Sequence, residues 1–153
     1  MNIEEVETVV DWVEYYRHQF HLPVEERGGY VILSVTRHLG VIHMPKDLAK
    51  KVLGSLREQG IMSPLLARQI RWSLIASVDY SPGYQVLDLL SRNEVCIPVV
   101  GSALMIPTSF ERYTREGAYW VNPPARDQLL PLLSTVITTA LAASSGRQVT
   151  GTY

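Results

Sequence analysis

The residues of this chain that could do chemistry are its histidines, its single cysteine, a few carboxylates and some arginines set beside aromatics. His18 and His21 stand three apart, a spacing that puts two metal ligands on one helical face. The same pair also suits the end of a helix, where the dipole favours a cation. No cysteine or acidic ligand stands in register with them, so no metal site is expected. His43, within Gly40-Val-Ile-His-Met-Pro45, ends a strand just before a helix, with His38 near the strand's start. An imidazole there could serve as the base of a small hydrolase or transferase. No G-x-S-x-G elbow offers it a nucleophile. A hydrogen-bonded structural histidine is therefore expected, and no catalytic residue is assigned. Cys96 lies among Val95, Ile97 and Val99, which reads as a small hydrophobe in the core. Gly-rich phosphate cradles and D-x-D carboxylate pairs are absent, and Asp79 and Asp88 read as solvated loop and helix residues. No cofactor is expected.

The arginines are more suggestive. Arg68 and Arg71 flank a turn beside Trp72, while Arg112 and Arg115 bracket Tyr113 ahead of Trp120. Guanidinium groups next to aromatic rings can pair with phosphate while bases stack, which makes these four a candidate nucleic-acid-binding set. Lys46, Lys50, Lys51 and Arg57 add charge along one helix. A solvated helix face and a hairpin edge guarded by charge would use the same residues. Over 153 residues the formal net charge is −1, which argues against an extended basic surface and leaves room for a local patch.

The elements that must position these groups follow from periodicity. Residues 3–20 read as an amphipathic helix with Ile3, Val6, Val10, Val13 and Phe20 on its apolar face. Val31, Leu33 and Val35 alternate as a strand, and 39–45 continues as a second short strand beside it. Leu48, Ala49, Val52, Leu53 and Leu56 recur at helical spacing, and Gly60 stands where a left-handed residue would stop that helix. A hairpin over 63–78 turns at Arg68-Gln-Ile70. A helix capped by Ser81 follows through Arg92, with Val86, Leu87, Leu89 and Leu90 inward. Strands are expected at 94–100, 103–107 and 118–121, with one helical turn over 109–115 behind a Thr108–Glu111 capping box. The last helix is expected over 128–143, and 144–153 as a flexible tail.

The expected fold is α+β: a mixed, largely antiparallel sheet with helices packed on one face, in a single domain over 1–143. In the last helix Leu129, Leu133, Val136, Ile137 and Leu141 cover more than one stripe. That suits either a buried helix or a partner interface, such as that of a homodimer. One cysteine, an acidic start and no apolar run long enough to span a bilayer point to a cytoplasmic protein.

The order of Gly40-Val-Ile-His-Met-Pro45, Arg71-Trp-Ser-Leu-Ile75, Asn93-Glu-Val-Cys-Ile-Pro98, Leu104-Met-Ile-Pro107 and Trp120-Val-Asn-Pro-Pro124 resembles a group of small actinobacterial proteins of unknown function. Some of these carry a primase/polymerase N-terminal-like label. The resemblance covers roughly residues 30–125 and implies a sheet related to the archaeo-eukaryotic primase fold. The metal-binding carboxylates and catalytic histidine motif of primases have no counterpart here, so it implies a catalytically silent relative. Two functions are therefore expected. The first is a non-enzymatic binding or regulatory module acting through protein contacts as a homodimer. The second is a primase-like nucleic-acid-binding domain using Arg68, Arg71, Arg112 and Arg115.

Overall fold

The computed structural model describes the backbone of residues 6–152 and the side chains of residues 6–145. Its elements are α1 (Val9–Phe20), β1 (Val24–Arg27), β2 (Tyr30–Ser34), β3 (Leu39–Pro45), α2 (Lys46–Glu58), β4 (Leu65–Ala67), β5 (Arg71–Ser77), α3 (Tyr84–Arg92), β6 (Ala103–Ile106), β7 (Tyr119–Asn122) and α4 (Leu133–Thr152). The class is α+β, with helices against antiparallel sheets. The strands form two sheets rather than one: β1-β2-β6 and β3-β5-β4-β7.

The expected neighbours β2 and β3 lie in different sheets, and the reason is hydrophobic. Val31 and Leu33 of β2 and Leu39 and Val41 of β3 belong to one core and meet across it. A hairpin would set them side by side on one sheet and leave that core without its second wall. The four-stranded sheet is thus buried on both faces. Ile42, Met44, Leu65, Leu74 and Ala76 point to α2, α3 and α4. Val41, Leu66, Ile75 and Trp120 point to the smaller sheet and α1. This explains why β3 and β5 read as nearly unbroken apolar runs, as strands covered on both sides do.

Local signals decide the element ends. Thr8 and Asp11 form a reciprocal cap that starts α1, so the helix begins after Val6; the expected apolar residue Ile3 lies outside the described residues. His21 leaves the helix in a left-handed conformation, and the loop expected before β2 is instead strand β1. At the end of α2, Gly60 takes φ +77° while Ile61 N–H reaches back to the Leu56 carbonyl at 2.8 Å. This is the left-handed stop its glycine predicts.

Elsewhere tertiary contacts override the pattern. Residues 94–100 make no strand and only a bridge from Cys96 to His43, so Cys96 is exposed instead of lying in the core. Thr108 does not cap a helix; its hydroxyl donates to Glu116 at 2.7 Å and the segment stays irregular. Helix α3 begins at Tyr84 behind Gly83 without a side-chain cap, and of its expected inward residues only Leu90 is fully buried. Helix α4 starts at Leu133, later than expected, because Asp79 caps it from across the fold. Ser134 donates its backbone N–H to Asp79 at 2.9 Å and its hydroxyl to the second carboxylate oxygen. These hydrogen bonds hold the Asp79 carboxyl below its usual pKa. The backbone of α4 continues to Thr152, across the stretch expected as a tail.

Candidate nucleic-acid interface

The β4–β5 hairpin sets the geometry of the site. Ala67 pairs with Trp72 in the ladder, which leaves Arg68, Gln69 and Ile70 as the turn and Arg71 at the first position of β5. Alternation then fixes direction. Trp72 faces α2, where the ammonium groups of Lys46 and Lys50 sit 5.8 and 5.7 Å from its ring centroid. One step along the same ladder row, Ala67 pairs with Tyr119, and the Arg112 guanidinium lies 3.8 Å from the Tyr119 ring. Arg112 also lies 5.2 Å from the ring of Tyr113, which is 85% exposed. Cations over aromatic faces contribute about 0.5–1 kcal/mol each at exposed sites, enough to hold the long side chains in place.

On the other side of the hairpin is an open cleft of about 400 Å³, lined by Arg68, Gln69, Ile70, Arg71, Glu116, Gly117 and Ala118. Neither Arg68 nor Arg71 makes an ion pair with a described carboxylate. Arg115 is engaged differently. It lies over the Tyr30 ring at 4.6 Å, donates from Nη2 to the Gly29 carbonyl, and donates from Nε to Glu116 at 3.0 Å. Of the four arginines expected to bind nucleic acid, Arg68 and Arg71 therefore share the cleft with free guanidinium groups. Arg112 sits on the aromatic rim, and Arg115 braces Glu116 in the cleft wall.

Glu116 is the residue that sequence reasoning missed. Its side chain is only 1% exposed. Burial alone would raise its pKa, but hydrogen bonds from Thr108 and Arg115 outweigh that and keep the carboxyl below its ordinary value. Both donors reach Oε2, and Oε1 has no hydrogen-bond partner among the described residues. Its partner Thr108 is eight residues away across irregular chain, and no periodic pattern records that contact.

His43 sits beside this site but is built as a structural group. Its ladder partners are Ser73 on β5 and Cys96 on the bridging segment. The ring Nδ1 shares a 2.7 Å hydrogen bond with the Ser73 hydroxyl. Ser73 is completely buried, and its hydroxyl is taken up in this contact within the ladder. Burial, then the charges of Arg68 and Arg71, push the His43 pKa from 6.5 down to about 4. The unfolded chain therefore takes up a proton near pH 6.5 that the folded chain refuses until about pH 4. Stability from this group is complete above pH 6.5 and is lost as the pH falls towards 4. Urea unfolding at pH 7 and pH 4.5 is expected to differ by about 1–2 kcal/mol through His43, less than full linkage because the ring is partly solvated. In His43→Gln that loss is expected to disappear. Equal loss in both proteins would remove this account.

The other expected sites are dispersed. His18 pairs with Glu14 on the surface of α1 at 2.7 Å, and His21 turns the chain out of the helix. Among the described residues no group of three or more His, Cys, Asp or Glu side chains is placed to hold a metal ion. In the expected partner interface, Leu133, Val136 and Ile137 are buried in the chain's own core, packed with Leu53 and Leu56 of α2. Leu141 is half-buried against that core. Leu129 is 92% exposed but precedes the helix. The apolar stripe of α4 thus serves the fold, and of the proposed interface residues Leu129 alone stands clear on the surface. No helix among the described residues is long and apolar enough to cross a membrane. No family model, curated protein or solved structure matches this chain.

Proposed function

We propose that this chain is a non-catalytic cytoplasmic module that binds single-stranded nucleic acid at the hairpin end of its four-stranded sheet. The observation that carries the reading is the cleft with two guanidinium groups, Arg68 and Arg71, that make no ion pair with a described carboxylate, flanked by cations held over Trp72 and Tyr119. Phosphate needs cations free of carboxylate partners, and bases need apolar faces within reach. Ile70, 84% exposed at the turn, and Tyr113 at the rim supply such faces. A net charge near zero fits a local patch and disfavours coating of long duplex DNA. The primase-like resemblance points to the same class of ligand and contributes no catalytic residue. Fluorescence anisotropy with a labelled oligo(dT) of about 20 nucleotides, long enough for one such site, is expected to show binding that weakens with salt. Each phosphate engaged adds about −0.7 to the log–log slope, so two to four contacts give roughly −1.4 to −2.8. Absence of binding at about 50 mM salt, where phosphate contacts are strong, would dismiss the reading.

A second reading has its own support. Tyr84, Leu87 and Leu89 of α3, with Tyr80, Val99 and Val100 nearby in sequence, leave apolar side chains in solvent. Apolar surface of this kind marks protein contacts when it is contiguous. On this reading the chain forms a homodimer through α3 rather than α4. Light scattering behind size-exclusion chromatography is expected to show a mass rising towards twice 17.2 kDa across micromolar concentrations. A constant monomer mass would exclude it.

A further inference from the structure

A carboxylate oxygen buried without a donor is costly, and proteins keep few such groups. Glu116 Oε1 is one, in the wall of a cleft whose other charges are the cations Arg68 and Arg71. Phosphate would satisfy the arginines but offers no donor to the carboxylate. The ligand part that suits the whole cleft must offer acceptors to guanidinium and an N–H donor to carboxylate. Every base carries an acceptor and an N–H donor, but guanine alone sets two acceptors, O6 and N7, for a bidentate guanidinium beside two donors, N1–H and the 2-amino group, on the adjoining edge.

We propose that Glu116 is the base-discriminating residue of this cleft, taking a hydrogen bond from a guanine N–H on Oε1 while Arg68 or Arg71 engages O6 and N7. This rests on the nucleic-acid reading above and makes it specific. Thr108 and Arg115 hold Oε2, which fixes the carboxylate plane and leaves Oε1 as its one open acceptor position. The exposed side chains of Arg68, Gln69 and Arg71 share the wall. Contact with Oε1 requires the cleft to open there, and the long exposed side chains of its wall change rotamer within nanoseconds.

The test uses the full chain and oligo(dT) strands carrying either three separated guanines or three adenines at the same positions. Wild-type protein is expected to bind the guanine strand about tenfold more tightly, within what one good base contact provides. Glu116→Gln inverts the site. The glutamine oxygen must stay on the two donors Thr108 and Arg115, so its amide NH2 takes the place of Oε1 and meets the guanine N–H groups donor to donor. The tenfold preference is expected to vanish in E116Q, read as the ratio of the affinities of the two strands for the same folded variant. Equal wild-type affinity for the guanine and adenine strands overturns the inference and leaves the nucleic-acid reading standing, whether or not the variant folds. Preference retained in a folded E116Q also overturns it. No binding to any strand removes both.

Discussion

Replacing Arg68 and Arg71 together by alanine is expected to weaken single-stranded DNA binding about 100-fold near physiological salt. A hydrogen bond to a charged group contributes about 1.5–3 kcal/mol, so at the lower value each guanidinium is worth about tenfold. The salt dependence carries the sharper signature. On plain oligo(dT), which has no guanine to engage either guanidinium, two lost phosphate contacts should reduce the log–log slope by about 1.4. A purely structural role for these residues would lower affinity without that change in slope. Both residues are exposed, and neither makes an ion pair with a described carboxylate, so the fold should tolerate the change. Removing them also takes away two charges that depress the His43 pKa, so the imidazole should titrate higher in the double variant. An unaltered salt slope would show that the DNA lies elsewhere.

The second large effect is expected at Tyr16, far from the cleft. Its ring is completely buried in a cluster with Trp12, Tyr15, Phe20, Phe110 and Trp120. Its hydroxyl donates to the Pro107 carbonyl at 2.6 Å and accepts from the Trp120 indole N–H at 3.0 Å. Burial, partly offset by the indole bond, pushes the phenol's pKa well up, so it keeps its proton and its donor role. One oxygen therefore joins α1, β7 and the segment after β6. Tyr16→Phe keeps the packing but takes away the acceptor of a buried N–H and the donor to a carbonyl. Each group left without a partner costs about 1–3 kcal/mol, giving roughly 2–6 kcal/mol for the pair. At about 2–4 °C per kcal/mol in a domain of this size, Tm should fall by about 4–24 °C. A drop of under about 2 °C by calorimetry, less than one lost hydrogen bond produces, would mean that water or another group takes over the vacated bonds.

What the sequence disclosed follows the range of the forces involved. The α2 helix is written in neighbouring residues, from Leu48 to its Gly60 stop, and the Arg68-Gln-Ile70 turn lies between two apolar runs close in the chain. These were legible. The split into two sheets was not, because the alternation of Val31 and Leu33 in β2 and the apolar run of β3 say only which faces are dry. They do not say which strands are neighbours, and β2 finds its partner β6 far along the chain, with Ser34 opposite Ala103. The capping rule failed at Thr108 for the same reason. A capping residue offers one hydroxyl, and at Thr108 a distant carboxylate takes it. Within the site, Arg68 and Arg71 stood out through charge beside Trp72. Glu116 is one acid among many in the sequence and becomes distinctive only when the fold closes over it.

The four-stranded sheet forms the wall of both cores, and this constrains how the molecule can come apart. Exposing either core leaves one face of β3, β4 and β5 wet, so neither half can melt as an independent foldon. The central ladder between β3 and β5 is expected to be the slowest region of the molecule in amide exchange, its protons released by global opening. On the proposed reading, a ligand at the tip of β4 and β5 would be anchored to that slowest region and insulated from fraying at the chain ends.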